Sequence, residues 1–443
     1  MGFRAYLLYV FMVFVRPIEQ FAPEIMAYRP ILILWAVTFL ASVVEARQRG
    51  GGAASRQHFA VLAWLSVVVF VSVLLHSDLS AAMGAFGVIS TPAMLFVLTC
   101  LNVDTIERFK TLTKLFLGCV VVLCFQGLLA FHQGVNLEML IIPQLAHENV
   151  ILPKERPTVP ALDDSGAYIW RLRSVGFLND PNDFAQTIIV VAPWLFMHLP
   201  EKASAIWRMI LVSPWLALLG YVLTLTHSRG GMLGVAAALL FFFKDRIGKV
   251  WAALFGMAGV LAFSLGLVGG DRGLTGKERS ASERIDAWND GIQMLKSDPF
   301  LGVGYGNFTE HHERTAHNSF VLCFAELGLL GYFLWIGLIV LAFQALNRII
   351  RCLKSDDAHA QYAVLLRTSF VGFLVCAWFL SRTFVPTLFI LMGMTVGLLH
   401  SARMRHPQAQ VPELHQPLLW RMASAQVVVV TLVLVSMFIR FSR

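Results

Sequence analysis

Long apolar stretches recur along this 443-residue chain, and short polar segments separate them. Hydrophobic residues make up 57% of the sequence and charged residues 14%, whereas soluble domains are about 45–50% apolar and about 25% charged. Runs that approach the roughly 20 residues needed to cross a bilayer are typical of transmembrane helices. The sequence therefore predicts an all-α, polytopic integral membrane protein with about twelve transmembrane helices.

The apolar stretches number thirteen, and several must extend into flanking residues to span the hydrocarbon. They fall at residues 3–15, 31–44, 59–75, 89–101, 115–131, 184–199, 209–225, 231–243, 250–268, 320–341, 368–380, 384–399 and 426–439. Arg16-Pro17 follows the first stretch where a signal peptide would have a small-residue cleavage site, so a retained helix is expected. The pattern leaves twelve or thirteen crossings open.

Basic residues in the short loops predict the orientation of the spans. Clusters of Lys and Arg occur at residues 47–56, 108–114, 244–249, 348–354 and 403–405. These clusters fall on one side if the spans simply alternate, and that side is then cytoplasmic. The polar segments 133–183 and 269–316, together with Ser228-Arg229, then lie on the opposite face.

The chain divides on this basis into five segments. Membrane helices occupy residues 1–131, 184–268 and 318–443. Residues 132–183 and 269–317 form the two long loops outside the cytoplasm. The second loop is predicted to carry the functional site, because loops of this length are usually functional or disordered.

Charge and cysteine content exclude two classes of function. The net charge of +8 does not indicate nucleic-acid binding, because the basic residues are scattered over short loops between apolar spans. Five of the six cysteines lie in apolar spans, and Cys352 lies in a basic loop. No disulfide and no zinc site are therefore expected.

The polar segment 269–316 runs directly into an apolar helix. Ser282-Glu283-Arg284 is predicted to open an amphipathic helix, since apolar residues recur at helical spacing through residues 285–295. Pro299 ends that helix, because proline disfavours helical geometry at the residue before it. His317-Asn318-Ser319 then stands where the chain re-enters the membrane.

Several motifs in the second half of the chain share one order and one predicted membrane face. They are Asn179-Asp180-Pro181-Asn182-Asp183-Phe184-Ala185, Ser228-Arg229-Gly230-Gly231, Arg284 with Trp288, Pro299-Phe300-Leu301-Gly302-Val303-Gly304, His317-Asn318 and Glu326-Leu327-Gly328-Leu329-Leu330-Gly331. In this order they resemble the O-antigen ligase and polymerase superfamily of bacterial membrane glycosyltransferases, and most of all its ligases. The other parts of the chain match only as generic membrane helices.

The resemblance implies a GT-C-like fold in the bacterial inner membrane, with the active site on the periplasmic face. It implies transfer of a glycan from undecaprenyl diphosphate to a sugar hydroxyl of lipid A–core, with inversion and without a metal or other cofactor. The partners would be this donor, this acceptor and membrane lipids, and no nucleic acid.

Three alternatives stay open at this point. A polymerase or a protein O-oligosaccharyltransferase of the same superfamily would share the donor chemistry, so the motifs do not separate them from a ligase. A transporter of lipid-linked glycan belongs to a different class. It would predict an internal duplication and broken helices near mid-membrane, and the sequence shows no internal repeat.

Four arginines are candidates for holding the donor diphosphate, since a guanidinium offers a fork of donors suited to phosphate. Arg284 is expected in the first turn of the loop helix, where a cation opposes the helix dipole. Arg229 is expected in a tight turn beside a glycine pair. Arg171 and Arg173 are further candidates. The alternatives are solvated arginines and arginines that contact lipid headgroups, and the resemblance favours phosphate contacts for Arg229 and Arg284.

The acidic motif before the 184–199 stretch has a local explanation. Asp180 suits a helix N-cap, Pro181 suits the first helical position, and Asp183 can close a capping box. A metal site formed by Asp180 and Asp183 with Asp163 and Asp164 is the alternative. It is disfavoured because the residues best suited to the diphosphate are arginines.

His317 is the candidate catalytic base. It directly precedes a membrane helix, with Asn318 or Ser319 as the cap, and a helix N-terminus favours the neutral imidazole that a base needs. The alternative is a boundary histidine that only hydrogen-bonds the loop. His311 and His312 are interpreted as surface residues of the loop.

Three further residues of this region are given supporting roles. Trp288 lies one helical turn after Arg284 on the same face. Glu326 lies about two turns into the membrane helix, where an ionisable group is a functional hypothesis by default. A structural carboxylate bonded to a neighbouring helix or an arginine is preferred for it. Gly328 and Gly331 are expected to allow close helix packing.

Overall fold

The computed structural model describes residues 1–53, 55–135, 159–162, 168–200, 204–248, 279–409 and 417–441. Four features of the sequence lie outside these residues. They are residues 136–158 of the first predicted loop, the pair Asp163 and Asp164, the predicted span 250–268, and the first part of the 269–316 segment.

The described chain is built from helices, which confirms the all-α prediction. The helices are α1 (Gly2–Val15), α2 (Pro17–Phe21), α3 (Pro30–Gln48), α4 (Arg56–His76), α5 (Leu79–Asn102), α6 (Ile106–Gln133), α7 (Pro181–Val191), α8 (Ala205–Leu225), α9 (Arg229–Ile247), α10 (Arg279–Ser297), α11 (Phe308–His311), α12 (Ser319–Cys352), α13 (Ala358–Ala377), α14 (Pro386–Arg405) and α15 (Pro417–Phe441). One small hairpin, not predicted from the sequence, pairs strand β1 (Val159–Leu162) antiparallel with strand β2 (Tyr168–Arg171).

Nine of the described helices are long and apolar enough to cross a membrane: α3, α4, α5, α6, α8, α12, α13, α14 and α15. Helix α1 is apolar but has only 14 residues, which is about 21 Å of helix. Each predicted apolar stretch among the described residues coincides with a helix. The chain is therefore a multi-pass membrane protein, and its exact number of crossings stays a prediction.

The exposure of apolar residues differs sharply between these helices. Of the 18-residue apolar segment of α14, 83% is buried inside the protein, whereas only 17% of the corresponding segment of α3 is buried. Leu32, Ile33 and Leu40 of α3 are all exposed. Apolar side chains exposed along a whole helix face are expected to contact lipid and not water.

The first of two compact units consists of Met1–Gly51, Glu107–Leu274 and Thr368–Cys376. In this unit α1 packs along α3, and α7 packs against α8 and α9. Gly234 allows α9 to approach Cys376 of α13 closely, since a Cβ on this glycine would lie 2.6 Å from the Cys376 sulfur.

The second compact unit consists of Gly52–Ile106, Thr275–Arg367 and Ala377–Arg443. Helix α12 lies at its centre, because it packs against α4, α10, α14 and α15. Helix α5 packs against α4 and α14. At the junction with α14, a Cβ on Gly397 would lie 1.9 Å from the carbonyl oxygen of Val103, so a larger residue would force the two segments apart.

Candidate functional site

Arg171 joins the hairpin to two helix ends in the first unit. Its Nε donates to the carbonyl of Thr226 and its Nη2 to Oδ1 of Asn182, both at 2.8 Å. The Leu172 N–H adds a bond of 2.8 Å to the carbonyl of Leu225. The structure thus brings together β2, the start of α7 and the turn before α9. Arg171 has a positioning role here, and its contact with phosphate stays a prediction.

Arg173 is a buried cation with only 1% of its surface exposed. Its Nη1 donates to the carbonyl of Asn179 at 3.4 Å, while its Nε and Nη2 have no hydrogen-bond partner among the described residues. Burial lowers the pKa of Arg173 to about 10, and the nearby charge of Asp180 opposes this fall. The guanidinium therefore stays charged at pH 7. A buried charge with unsatisfied donors is unfavourable unless an anion completes it.

The start of α7 follows the local rules that the sequence predicts. Asp180 is the N-cap, its side chain accepts a bond of 2.7 Å from the N–H of Asn182, and Pro181 is the first helical residue. Asp183 is buried in the first turn, where a carboxylate is favoured by the helix dipole. Its supporting role stays a prediction.

Arg229 is the first residue of α9, which corrects the prediction that it lies within a tight turn. The turn comes earlier, at His227, whose φ is +46°. Ser228 starts the helix as its N-cap, because its Oγ accepts from the N–H of Gly231 at 3.1 Å. The glycine pair therefore belongs to the helix. A Cβ on Gly231 would lie 3.1 Å from the methyl group of Ala185, so this glycine lets α9 approach α7.

His317 has a left-handed backbone directly before α12 in the second unit, with φ of +47°. Its N–H donates to Oγ of Ser381 at 2.7 Å. Asn318 is the N-cap, as the sequence predicts, and its Oδ1 accepts from the N–H groups of Phe320 and Val321. Positive φ is uncommon for residues other than glycine, so the bonds on both sides of His317 hold its position.

The loop between α13 and α14 binds this same segment and was missed in the sequence. Ser319 Oγ donates to the carbonyl of Leu380 at 2.6 Å and accepts from the N–H of Arg382 at 3.0 Å. Together with the Ser381 bond, these contacts place Arg382 close to the backbone that carries His317. The signal for Arg382 was available, because this arginine lies in the short gap between the apolar stretches 368–380 and 384–399, where an ionisable residue is a functional hypothesis.

Arg284 lies in the second turn of α10, which begins at Arg279 and not at Ser282. The repulsion between the Arg284 cation and the helix dipole is therefore weaker than predicted, because the influence of the dipole falls off within the first turn. The helix starts earlier because Arg279-Ser280-Ala281 contains no strong helix breaker. Arg284 is half-buried, and its contact with the diphosphate stays a prediction.

Trp288 anchors the residue that precedes His317. Its Nε1 donates to the carbonyl of Ala316 at 2.9 Å, and its ring packs edge-on against Trp378 and Phe438. The side chain is buried. Trp288 thus joins the loop helix α10 to the start of the membrane helix α12.

We expect Trp288→Phe to lower the free energy of unfolding by about 1–3 kcal/mol, because the buried Ala316 carbonyl loses its donor. The measurement is chemical or thermal unfolding of the purified protein in detergent. Trp207→Phe is the matched control, since Trp207 is 61% exposed on α8, and it should unfold like the wild type. Equal stability of all three proteins would contradict the anchoring role.

Helix α12 is broken at Gly328, where φ is +61° and ψ is −168°. The loop of residues 299–304 enters this break. The N–H groups of Val303 and Gly304 donate to carbonyls just before the break, and the carbonyl of Pro299 accepts from an N–H just after it, at 2.8–3.0 Å. The loop backbone thus replaces helical bonds that a membrane helix cannot leave unmade.

Gly328 lets the loop approach α12, which corrects the expectation that it allows the packing of two helices. A Cβ on Gly328 would lie 2.3 Å from the carbonyl carbon of Phe300, and one on Gly302 would lie 2.4 Å from the oxygen of Ala325. Gly302 also has a φ of +66°. The atoms nearest to a Cβ on Gly331 belong to the preceding turn of α12 itself. Two backbones therefore approach each other where only glycine fits.

Glu326 is buried just before the break in α12, and its Oε1 accepts from the N–H of Phe308 at 3.4 Å. Its partner is thus the neighbouring short helix α11, which agrees with the preferred structural interpretation of this carboxylate. Tyr305 lies nearby, with its ring 5.4 Å from that of Phe384. Burial and then the charge of Glu326 raise the pKa of Tyr305 to about 12, against a lowering effect of Arg382. Tyr305 therefore keeps its hydroxyl proton at pH 7.

The two neighbouring histidines of the loop differ from each other. His311 is exposed, as predicted, but His312 is half-buried. The Nδ1 of His312 lies 2.8 Å from Oδ2 of Asp290, which links the end of α11 to α10. His312 therefore stabilises the loop, in contrast to the interpretation as a surface residue.

Comparison with known proteins agrees with the motifs. Residues 214–336 match a family model described as O-antigen ligase. A curated O-antigen ligase of Pseudomonas aeruginosa is 31% identical over 140 residues, which is 29% of this chain and 33% of the relative. The alignment thus spans about a third of the length of that relative. The family segment contains Arg229, Arg284 and His317 but not Arg171 or Arg173.

Proposed function

We propose that this chain, which resembles the O-antigen ligases over residues 214–336, transfers a glycan from undecaprenyl diphosphate to a sugar hydroxyl of lipid A–core. The reaction would take place at the periplasmic face of the bacterial inner membrane. The new glycosidic bond forms at the anomeric carbon, and undecaprenyl diphosphate leaves.

The observation that carries this proposal is the backbone of His317. A left-handed residue other than glycine costs about 1–3 kcal/mol and persists only where its surroundings hold it. Ser381 and the Asn318 cap supply those constraints. Such strain clusters at active sites, and this residue lies inside the segment that matches the family.

In the proposed mechanism, His317 is the general base. It accepts the proton of the acceptor hydroxyl as that oxygen attacks the anomeric carbon. The α12 N-terminus, which directly follows, disfavours a positive charge at this position. A single displacement of this kind inverts the anomeric configuration.

Arg229, Arg284 and Arg173 are assigned to the diphosphate. Their guanidinium groups would stabilise the negative charge that develops as the diphosphate leaves. Arg173 supports this role most directly, since its Nε and Nη2 have no partner among the described residues. Guanidinium groups supply the charge stabilisation that a divalent metal supplies in other diphosphate enzymes, so transfer in the presence of EDTA is part of the proposal.

We expect Arg173→Met to lower glycan transfer at least about 10-fold while the stability of the protein stays equal or rises. Replacing a buried, poorly paired charge by an apolar side chain of similar size is often neutral or stabilising. Arg171→Met is the matched comparison. It should lower stability, because it removes the bonds to Thr226 and Asn182.

Both quantities can be measured on the same preparations, by unfolding in detergent and by transfer in proteoliposomes. Unchanged glycan transfer by a folded Arg173→Met variant would show that Arg173 does not bind the donor diphosphate. Equal loss of stability in both variants would show that Arg173 is only structural.

The choice of acceptor separates the ligase from its relatives. Purified protein in proteoliposomes receives the lipid-linked glycan together with lipid A–core, in EDTA, and the products are analysed by mass. Glycan on lipid A–core supports the ligase. Longer lipid-linked chains would identify a polymerase, and glycosylated protein after addition of a protein acceptor would identify an oligosaccharyltransferase.

A further inference from the structure

Two histidines and one aspartate meet at the opposite end of α12 from His317. Asp357 directly precedes α13, His359 lies in the first turn of α13, and His406 directly follows α14. One ligand atom from each side chain lies within 4.8 Å of the other two. Residues 329–352 of α12, after the break at Gly328, alone span about 36 Å, and the cluster lies beyond their end.

The spacing of the ligand atoms fits a tetrahedral metal site. Nδ1 of His359 forms a hydrogen bond of 3.2 Å with Oδ1 of Asp357, and Nε2 of His406 lies 3.0 Å from Oδ2 of the same carboxylate. Zinc–nitrogen and zinc–oxygen bonds of about 2.0–2.1 Å place tetrahedral ligands about 3.3 Å apart. These two separations are close to that value, and all three ligand atoms lie within 4.8 Å of one another, so rotations of the side chains bring them onto one ion.

The geometry at His406 argues against a simple hydrogen bond. Its Nε2 is buried and makes no hydrogen bond within the described part of the chain, although Oδ2 of Asp357 lies 3.0 Å away. Two ligands of one metal ion lie at this distance without the alignment of a hydrogen bond, because both atoms point at the ion and not at each other.

The surroundings of His359 fit a metal ligand as well. Its Nε2 lies 3.0 Å from Oγ of Ser401, and the ring is 5% exposed. Metal-binding histidines usually use their second nitrogen in this way, which fixes the tautomer and orients the ring. Asp357 also caps α13, because its Oδ1 accepts from the N–H of His359 at 2.8 Å. The cap explains the position of Oδ1, but it does not explain why Oδ2 faces the buried Nε2 of His406.

We propose that Asp357, His359 and His406 bind one divalent transition-metal ion of the zinc class, with water as the fourth ligand. Two imidazoles and one carboxylate suit zinc, iron, cobalt or nickel, whereas magnesium and calcium prefer oxygen ligands. The site clamps the loop after α12 to the end of α14. It revises the expectation of no zinc site, which rested on the cysteines, and it is independent of the proposed glycan transfer.

The test uses the full-length protein in detergent, carrying an affinity tag without histidine and stripped of metal with a chelator. Co²⁺ is titrated and followed by its visible absorption, and Zn²⁺ bound after dialysis is counted by elemental analysis. We expect one ion per chain and a higher unfolding temperature of the wild type with Zn²⁺, because a ligand that binds only the folded state stabilises it.

His406→Gln and Asp357→Asn should each weaken Co²⁺ binding at least 10-fold and abolish the stabilisation by Zn²⁺. His311→Gln, at an exposed histidine of α11, is the matched control and should bind like the wild type. Ser401→Ala keeps all three ligands and tests the site if a ligand variant fails to fold; it should weaken binding by a smaller factor. A wild type that binds no ion, or equal binding by wild type and both ligand variants, would overturn the site.

Discussion

Replacing His317 with asparagine is expected to slow glycan transfer by a factor of about 100 to 10,000 while the protein stays folded. A positioned general base contributes a factor of this size. Asparagine is the most informative replacement, because it tolerates the left-handed backbone that His317 adopts, with φ of +47°. Alanine at the same position would add backbone strain to the loss of the imidazole, and the measured rate would reflect both changes.

The measurement is the initial rate of transfer in proteoliposomes, with unfolding in detergent as the check on folding. His311→Asn is the matched control, since His311 is an exposed histidine of the same loop, and it should retain the wild-type rate. A folded His317→Asn variant that transfers within threefold of the wild type would exclude His317 as the base.

The largest loss of stability is expected for Gly328→Ala. The new Cβ would lie 2.3 Å from the carbonyl carbon of Phe300 and 2.5 Å from the N atom of Leu301, and the residue would keep a positive φ of 61°. Strain of the left-handed backbone and overpacking each cost about 1–3 kcal/mol. Expulsion of the loop would also leave membrane-buried backbone groups without partners. We therefore expect a loss of about 3 kcal/mol or more.

Gly84→Ala is the control for the same chemical change. Gly84 lies inside α5, and a methyl group added there would have no neighbouring atom within 4 Å outside its own helical turns. Alanine should therefore leave stability unchanged or raise it by up to about 1 kcal/mol. Both variants are compared by unfolding in detergent and by the yield of monodisperse protein. A Gly328→Ala variant as stable as Gly84→Ala would mean that the loop does not occupy the break.

The ends of the helices beside the candidate residues could be predicted because they depend on near neighbours. Asp180 caps α7 through the N–H of Asn182, and Asn318 caps α12 through the N–H groups of Phe320 and Val321. Caps are local bonds between residues two or three apart. The placement of His317 directly before a membrane helix followed from the same rule.

Features that depend on distant contacts could not be predicted. The break at Gly328 requires the loop of residues 299–304, and helical periodicity alone predicts an unbroken helix there. The bonds from Ser381 and Arg382 to the His317 segment come from another part of the chain. The glycine pair after Arg229 predicts a turn locally, but packing of α9 against α7 uses Gly231 inside the helix.

The most direct test of the proposed activity is a count of products from the purified protein alone. Proteoliposomes receive undecaprenyl-diphosphate-linked glycan and lipid A–core in EDTA, and released undecaprenyl diphosphate and glycosylated lipid A–core are measured over time. The proposed reaction predicts one released lipid diphosphate for each glycan joined to lipid A–core. Movement of intact lipid-linked glycan across the bilayer, with neither product formed, would contradict a transferase and indicate a transporter.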